Sequence, residues 1–530
     1  MKKRKKWRGI EIFSLVFSAL LLFYSVLNLP LLSEQLTDLG EKGAGFEEFT
    51  AGVERAYTTQ PAWKNEFVNL YGLFARLTGQ RLCNNIVRLN NGTLAEVNIE
   101  PQKTEQVSDN LARFDSYLSK QDIPFLYVMA PYKVDLDRQL LPYGTNNYFN
   151  SDADNFLAAL EQDHVSTLDL RPALSQNAEA VEQNFFHTDH HWNFTGALRA
   201  CPLILEQMDA LLPEQTLDTA YAAFDQWEGH TLEKWFLGSH GKRTGIYFSG
   251  VDDMTYYTPK FDTHLSRAVA YHGEFFCGDF VQANMNTMYA EKKDYFNFNP
   301  YCIYVGGDYP LVQHRNPGAP NQLKVLMIKD SFTLPLQCYF STIFSEVDVL
   351  DPRFLEDSVE SVAEYVSTSK PDIVVMMTNP SGGISGEAYA DFGITQELLR
   401  EQAMTGEREV LFRGDVEVEA EDAGCPYTDV DVLLEPGQRY TLRFDAVSFP
   451  DRPSEPESVF VRLYDMASNT PRSLQIFDVD FGNRNREFTW CFDTPEDGGK
   501  QMRLLLYAGE GGKTAGIHTI YSNVSVTHEK

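Results

Sequence analysis

The sequence has few cysteines: seven among 530 residues, an odd number, widely spaced and without a CxxC pair. This spacing argues against a zinc ribbon or a thioredoxin-like redox site, and a chain of this length can form a core without disulfide bonds. A basic excess is also lacking, because 75 acidic residues outnumber 45 basic ones and give a net charge of −30. Such a charge repels phosphate backbones, so nucleic acid is not expected as a partner.

Charged residues are absent from one stretch near the N-terminus, the 21 residues Ile12–Leu32. A helix of this length is about 30 Å long, enough to cross the hydrocarbon core of a bilayer. Six basic side chains precede it within residues 1–11, and basic flanks stay in the cytoplasm. We therefore expect a cytoplasmic tail at 1–11, an uncleaved transmembrane signal anchor at 12–32 and an extracytoplasmic body in the cell envelope. A cleaved signal peptide is the alternative.

The body is expected to begin with a stalk and N-terminal helices at 33–110, followed by an α/β unit at 111–404. In the α/β unit, near-continuous apolar runs alternate with helical segments. The runs lie at 123–131, 165–170, 324–331, 346–352 and 372–380. Such strands predict a parallel sheet with helices on both faces. The aromatic-rich residues 232–320 are interpreted as an insertion that walls a cleft.

The last part of the chain, residues 405–530, has a different pattern. Seven segments of alternating hydrophobicity follow one another, separated by turns such as PG, GN and EDGG. No helical period competes with this alternation. The pattern predicts an all-β sandwich.

A cluster of acidic and imidazole side chains lies in the segment NFFHTDHHWNFTGALRA at 184–200. The segment turns helical after the cluster, with Asn193 or Thr195 as the N-cap, so the cluster lies in the preceding loop. There Asp189 can turn back to accept a hydrogen bond from Nδ1 of His191. Such a bond fixes the tautomer of a general base and stabilises its protonated form.

A nucleophile for this base is predicted at Ser331, which follows the strand KVLMI and the turn Lys329-Asp330 and precedes a helix that begins near Thr333. Its own N–H and the neighbouring amides at the helix N-terminus are placed to stabilise an oxyanion. The motif KDSF lacks the GxSxG pattern of a nucleophile elbow, and the serine is alternatively a simple helix cap. Asn379 and Gly307 are candidate oxyanion or substrate-binding residues. Alternatively, the first closes a turn and the second belongs to a hairpin.

The imidazole cluster also has a metal interpretation, with His187, Asp189, His190 and His191 as ligands. Four ligands within five residues cannot easily face one ion, so no metal is expected. His190 and Trp192 are interpreted as packing residues or as part of the wall of the substrate site.

The motifs TDHHW at 188–192, KDSF after its strand at 324–332 and VDVLDPRF at 347–354 resemble the DHHW-motif branch of SGNH-hydrolase-like proteins. These are similar to the SGNH domains of bacterial alginate O-acetylation proteins, in which the Asp-x-His element precedes the serine, as it does here. The resemblance covers roughly residues 60–400. It implies an SGNH-hydrolase-like catalytic domain at 111–404, with Ser331 as nucleophile and His191 as general base. It makes Asp189 the orienting acid, and 405–530 a module resembling a carbohydrate-binding domain.

The function that follows from the resemblance is extracytoplasmic O-acetyl transfer to a cell-surface or secreted polysaccharide through an acetyl-serine. A membrane-bound O-acyltransferase that exports acetyl groups is implied as a partner, and no cofactor is expected. Three alternatives stay open. They are a polysaccharide acetyl-esterase with the same triad, a non-catalytic glycan-binding assembly protein and a metal hydrolase at the imidazole cluster.

Overall fold

The computed structural model of the chain describes residues 9–41, 50–51, 54, 61–212, 217, 219–270, 274–355, 361–395, 398, 408–419, 427–450, 457–466, 470–479, 485–495, 502–507 and 517–529. Most of the expected basic tail, residues 1–8, lies outside the described residues, as does the expected domain boundary at 404/405.

The chain begins with a long helix, Gly9–Glu41. Its segment Glu11–Pro30 has a mean hydropathy of 2.1 and is long and apolar enough to cross a membrane. The other α-helices are Lys64–Leu77, Glu105–Ser119, Phe149–Gln162, Arg171–Leu174, Ala178–Asn184, Phe194–Leu211, Ser239–Thr244, Ile246–Ser249, Phe280–Asn284, Met288–Glu291, Thr333–Phe340 and Val362–Ser369.

The first thirteen strands belong to three sheets, and their bounds are β1 Leu82–Cys83, β2 Ile86–Arg88, β3 Leu94–Ala95, β4 Phe125–Met129, β5 Thr167–Asp169, β6 Trp227–Phe236, β7 Asp252–Pro259, β8 Leu265–Val269, β9 Glu274–Gly278, β10 Leu311–Arg315, β11 Lys324–Lys329, β12 Glu346–Leu350 and β13 Ile373–Thr378. The first three form a small antiparallel sheet, and β6 pairs with β7.

The central sheet has eight strands in the order β5-β4-β13-β11-β12-β10-β8-β9. The first five are parallel to one another, which confirms the predicted parallel sheet. The last three pair antiparallel and extend the sheet. All three come from residues 232–320, so this region adds strands to the sheet as well as packing beside it.

Both faces of the parallel part are covered. On β11, Val325 and Met327 belong to one hydrophobic cluster, while Leu326 and Ile328 belong to the other. Helices Phe194–Leu211 and Thr333–Phe340 contribute to the first cluster, and Glu105–Ser119, Phe149–Gln162 and Val362–Ser369 to the second. Each fully buried aliphatic side chain contributes about 1.5–3 kcal/mol. Two-sided burial explains why these strands read as continuous apolar runs.

The C-terminal strands are β14 Arg408–Glu419, β15 Tyr427–Leu434, β16 Arg439–Pro450, β17 Glu457–Asp465, β18 Thr470–Val479, β19 Asn485–Asp493, β20 Met502–Tyr507 and β21 Ile517–Glu529. They form two four-stranded antiparallel sheets, β14-β21-β16-β19 and β15-β20-β17-β18. One hydrophobic cluster draws residues from both sheets. The predicted β-region is confirmed.

Candidate active site

Ser331 lies on the turn between β11 and the helix Thr333–Phe340. The Asp330 carboxylate shapes this turn. Its Oδ1 accepts the N–H of Phe332 at 2.9 Å, and its Oδ2 accepts the backbone and side-chain N–H groups of Asn379 at 2.8 and 2.6 Å. Because β11 and β13 are adjacent and parallel, the residues that follow them meet at the same sheet edge. The serine turn is therefore tied to the neighbouring strand.

Two buried charged residues fix the loop that carries the acidic and imidazole side chains. The Asp252 carboxylate accepts the N–H groups of His187 and Thr188, both at 2.8 Å. Lys133 Nζ donates to the carbonyls of His187 and Asp189 at 3.2 and 2.5 Å. Burial lowers the pKa of Lys133 to about 7, although the nearby carboxylates of Asp252 and Asp189 act in the opposite direction and raise it. The loop backbone is thus held from both sides.

The side chains of this loop reach the serine. His191 Nε2 lies 2.7 Å from Ser331 Oγ, and His191 Nδ1 lies 2.5 Å from Asp189 Oδ1. An ionised carboxylate only accepts, so the Nδ1 proton lies toward Asp189 and Nε2 accepts the serine O–H. Ser239 N–H donates to Asp189 Oδ2 at 2.6 Å. Burial raises the pKa of Asp189, but His190, His191 and the Ser239 N–H hold it well below its usual value.

The imidazole of His191 lies between two other rings. Tyr301 stacks on it with 3.9 Å between the ring centroids and 10° between the planes, and the His190 ring lies at 3.7 Å. Tyr301 is 1% exposed and donates to the carbonyl of Phe332 at 3.5 Å. His190 Nδ1 is hydrogen-bonded to Ser239 Oγ at 2.8 Å. These contacts fix the plane of the His191 ring and therefore the directions in which its two nitrogens point.

The other predicted site residues differ in how well their surroundings in the structure fit the expected roles. Trp192 is fully buried and donates to the Phe332 carbonyl at 3.1 Å, which favours the packing alternative over a place in the wall of the substrate site. Asn379 directs its amide to Asp330, and its Oδ1 accepts the N–H of Ser381, which favours the turn-closing alternative over oxyanion binding. The side chain of His190 is 38% exposed and stays a candidate for substrate contact.

The expected oxyanion amides are mostly occupied. Phe332 N–H donates to Asp330 Oδ1, Thr333 N–H to the Asp330 carbonyl and Leu334 N–H to the Ser331 carbonyl. The expectation that the neighbouring helix amides serve as oxyanion donors is therefore wrong. In the described part of the chain, the N–H of Ser331 itself donates to no acceptor. Of the amides expected to bind an oxyanion, it is the one that the turn leaves without an acceptor.

A network of four charges borders the serine turn. The buried Lys329, at the end of β11, pairs with Asp351 at 3.1 Å and with Asp308. Arg353 pairs with Asp351 at 2.6 Å and with Asp308 at 3.4 Å. Gly307 directly precedes Asp308 and so lies beside the end of the strand that leads to the serine. Its role as an oxyanion donor stays a prediction.

Most of the side chains proposed as metal ligands already have other partners in the structure. Donor atoms of Asp189, His190 and His191 lie within 4.8 Å of one another. However, both oxygens of Asp189 and both ring nitrogens of His191 already have hydrogen-bond partners. His187, the fourth expected ligand, pairs with Glu182 at 2.9 Å instead. The geometry fits a hydrogen-bonded triad better than a metal site.

Sequence reasoning missed several contributors to the site, among them Lys133, Tyr301 and Ser239. Lys133 follows the first apolar run by two residues, and its position at the carboxyl end of a parallel strand was a usable signal. Tyr301 stands among many aromatic residues and carries no distinguishing signal. Ser239 acts through its backbone N–H, which any residue except proline supplies.

Comparison with known proteins identifies a family that part of the chain resembles. Residues 91–244 match the family described as SGNH hydrolase-like domain, acetyltransferase AlgX. This confirms the resemblance that the sequence motifs predict. The matched residues include Asp189 and His191 but end before Ser331. No curated protein matches the sequence.

Among solved structures, PatB1 of Bacillus cereus is similar at 21% identity and a TM-score of 0.49, covering 58% of this chain and 99% of that one. A DHHW family protein from Eubacterium siraeum has 18% identity and a TM-score of 0.43, covering 58% and 94%. AlgX of Pseudomonas aeruginosa has 14% identity and a TM-score of 0.34, covering 84% and 94%.

Proposed function

We propose that the chain is an extracytoplasmic serine-dependent O-acetyltransferase that modifies a cell-surface or secreted polysaccharide through an acetyl-serine intermediate. The observation that carries the proposal is the pair of hydrogen bonds that links Ser331 through His191 to Asp189. Nucleophile, base and orienting acid are within bonding distance, which is the arrangement that acyl transfer by serine requires. The family match over residues 91–244 supports the same chemistry.

In the first step, Ser331 Oγ attacks the carbonyl carbon of an acetyl donor while His191 Nε2 takes its proton. Asp189 stabilises the imidazolium that forms. The Ser331 N–H donates to the oxyanion of the tetrahedral intermediate. The bond between the acetyl carbon and the donor's leaving group then breaks, and the leaving group takes the proton from His191. Acetyl-Ser331 remains.

In the second step, a sugar hydroxyl gives its proton to His191 and attacks the acetyl carbon. The bond between the acetyl carbon and Ser331 Oγ breaks, and the proton passes from His191 Nε2 to Ser331 Oγ. The products are an acetylated sugar and the free enzyme. Water in place of the sugar would yield acetate, so transferase and esterase differ only in the acceptor that reaches the intermediate.

The proposal includes a membrane anchor, for which the apolar segment Glu11–Pro30 is suited by length and composition. Cytosolic acetyl-coenzyme A does not reach the outer side of the membrane, so a membrane-bound O-acyltransferase that exports acetyl groups is the proposed donor system. The C-terminal β-sandwich is proposed to hold the polymer. Tethering would raise the polymer's concentration at the serine.

The proposal is tested by mass spectrometry after incubation with para-nitrophenyl acetate. We expect one acetyl group on Ser331 and none on the S331A variant. Ser385, whose hydroxyl donates to Gln102 and has no hydrogen bond to a triad residue, supplies the matched control, since S385A should still be acetylated. A folded protein that gains no acetyl group at Ser331 contradicts the mechanism.

Transfer and hydrolysis are then separated by adding an oligosaccharide acceptor to the acetylated enzyme. Acetyl groups recovered on sugar support the transferase. Acetate alone, at the same rate with and without sugar, supports the esterase.

A further inference from the structure

The helix Lys64–Leu77 has an apolar face that the described part of the chain leaves exposed. Its members are 46% to 77% exposed and recur at helical spacing, as Phe67, Leu70, Tyr71, Phe74 and Leu77. At 100° per residue they span an arc of about 120° on one side of the helix. Trp63, just before the helix, lies on the same arc and is 50% exposed.

The opposite face of this helix rests on the catalytic unit. A Cβ on Gly72 would lie 2.1 Å from the carbonyl oxygen of Thr244, so glycine is needed for this close approach. Asn69 Oδ1 accepts the N–H of Ile246 at 2.8 Å. The segment that receives these contacts begins at Ser239, which donates to Asp189. The exposed face is therefore connected to the triad through a short, packed path.

The start of the same helix contacts the long apolar helix Gly9–Glu41. Phe67 packs edge-on against Tyr24 at 5.6 Å, and Trp63 lies 6.0 Å from Phe23. Tyr24 lies six residues before Pro30, the end of the apolar segment, which is roughly 9 Å along a helix. Amphipathic helices in a membrane interface bury their apolar face about 5–10 Å deep. The contact lies at that depth if the apolar segment spans a bilayer.

We propose that the helix Lys64–Leu77 lies in the membrane–water interface on the extracytoplasmic side of the membrane that the anchor crosses, with its apolar face in the lipid acyl chains. The bilayer is the occupant of this face because the face is continuous with the apolar helix and carries Trp63 and Tyr71, residue types enriched at membrane interfaces. The inference rests on the anchor of the proposed function. It deepens that proposal, since the helix would fix the height and orientation of the catalytic unit above the membrane.

The test uses the full-length protein in vesicles of phosphatidylcholine with a minority of phosphatidylglycerol. A nitroxide is attached at Phe74→Cys, or at Leu70→Cys, with label-reactive native cysteines such as the exposed Cys277 replaced by serine. Oxygen concentrates in lipid and a nickel chelate stays in water. We expect the oxygen-to-nickel accessibility ratio at either position to be several-fold higher than at the fully exposed Tyr143→Cys.

Equal ratios at Phe74 and Tyr143 would show the face in water and overturn the inference. A label inaccessible to both reagents would also overturn it, because the face would then be covered by protein, either a second copy or another subunit. The reading does not depend on catalysis. A protein that never acetylates Ser331 can still show the lipid signature, so failure of the proposed reaction and failure of this inference are distinguishable.

Discussion

Replacing Gly238 by alanine should disable the site with little change in the fold. Gly238 has φ −75°, a conformation that alanine adopts without strain. However, a Cβ at this position would lie 2.2 Å from the Cβ of Asp189 and 2.5 Å from its Oδ2. Ordinary contact begins near 3.4 Å. The two residues must therefore move apart by more than an ångström, and Asp189 is the one that bonds His191.

The size of the effect follows from this displacement. A misplacement of about 1 Å in a catalytic constellation costs on the order of 10²-fold in rate. That factor corresponds to about 2.7 kcal/mol in activation free energy. The assay is kcat/KM for a chromogenic acetyl ester, measured beside the thermal unfolding midpoint. We expect G238A to lose about 100-fold in kcat/KM while still unfolding cooperatively.

Gly382 provides the matched control, because a Cβ there meets nothing within 4 Å. G382A should retain the activity of the unmodified protein. The reasoning is refuted if folded G238A and G382A have the same kcat/KM, because Asp189 would then tolerate the displacement or have no part in the reaction.

Three further perturbations address the same site. D189N should lower kcat by about 10⁴-fold without unfolding the protein, because the amide cannot accept from both His191 Nδ1 and Ser239 N–H; a loss below about tenfold argues against the triad. Y301F keeps the ring stacked on His191 and should keep most of the activity, whereas Y301L should not, as initial rates will show. The pKa of Lys133 is about 7 in the folded protein and about 10.4 in the unfolded chain. Between these two pH values the unfolded state binds more protons, so the free energy of unfolding rises with pH in this range. Denaturant titrations should find this rise absent in K133M.

Much of the fold was predictable because strands buried on both faces and strands buried on one face have different hydrophobic patterns in the sequence. Strands β4, β11 and β13 are buried on both faces and read as apolar runs. The strand β15 was missed, although Val430, Val432 and Leu434 alternate inward.

The site was predictable to the extent that side chains carry it. The Asp-x-His spacing and the strand-to-helix serine identified Asp189, His191 and Ser331, and Asn193 caps the next helix as expected. Apart from Lys133, which follows a predicted strand, the surrounding supports were not predictable, since they involve backbone groups or distant residues. Neither the Ser239 N–H nor the ring of Tyr301 has a local sequence pattern that points to the loop it contacts.

The carboxylate of Asp330 has a consequence for how serine turns of this kind are sought in sequences. In a glycine-flanked nucleophile elbow, small neighbours permit a strained backbone. Here Ser331 has no positive φ, and the turn takes its shape from the Asp330 side chain, which accepts N–H groups from the residues that follow two neighbouring strands. Searches for sequences with glycine around a serine will miss turns built this way. In this chain the pattern to search for is an acid immediately before the serine together with an asparagine directly after the adjoining strand.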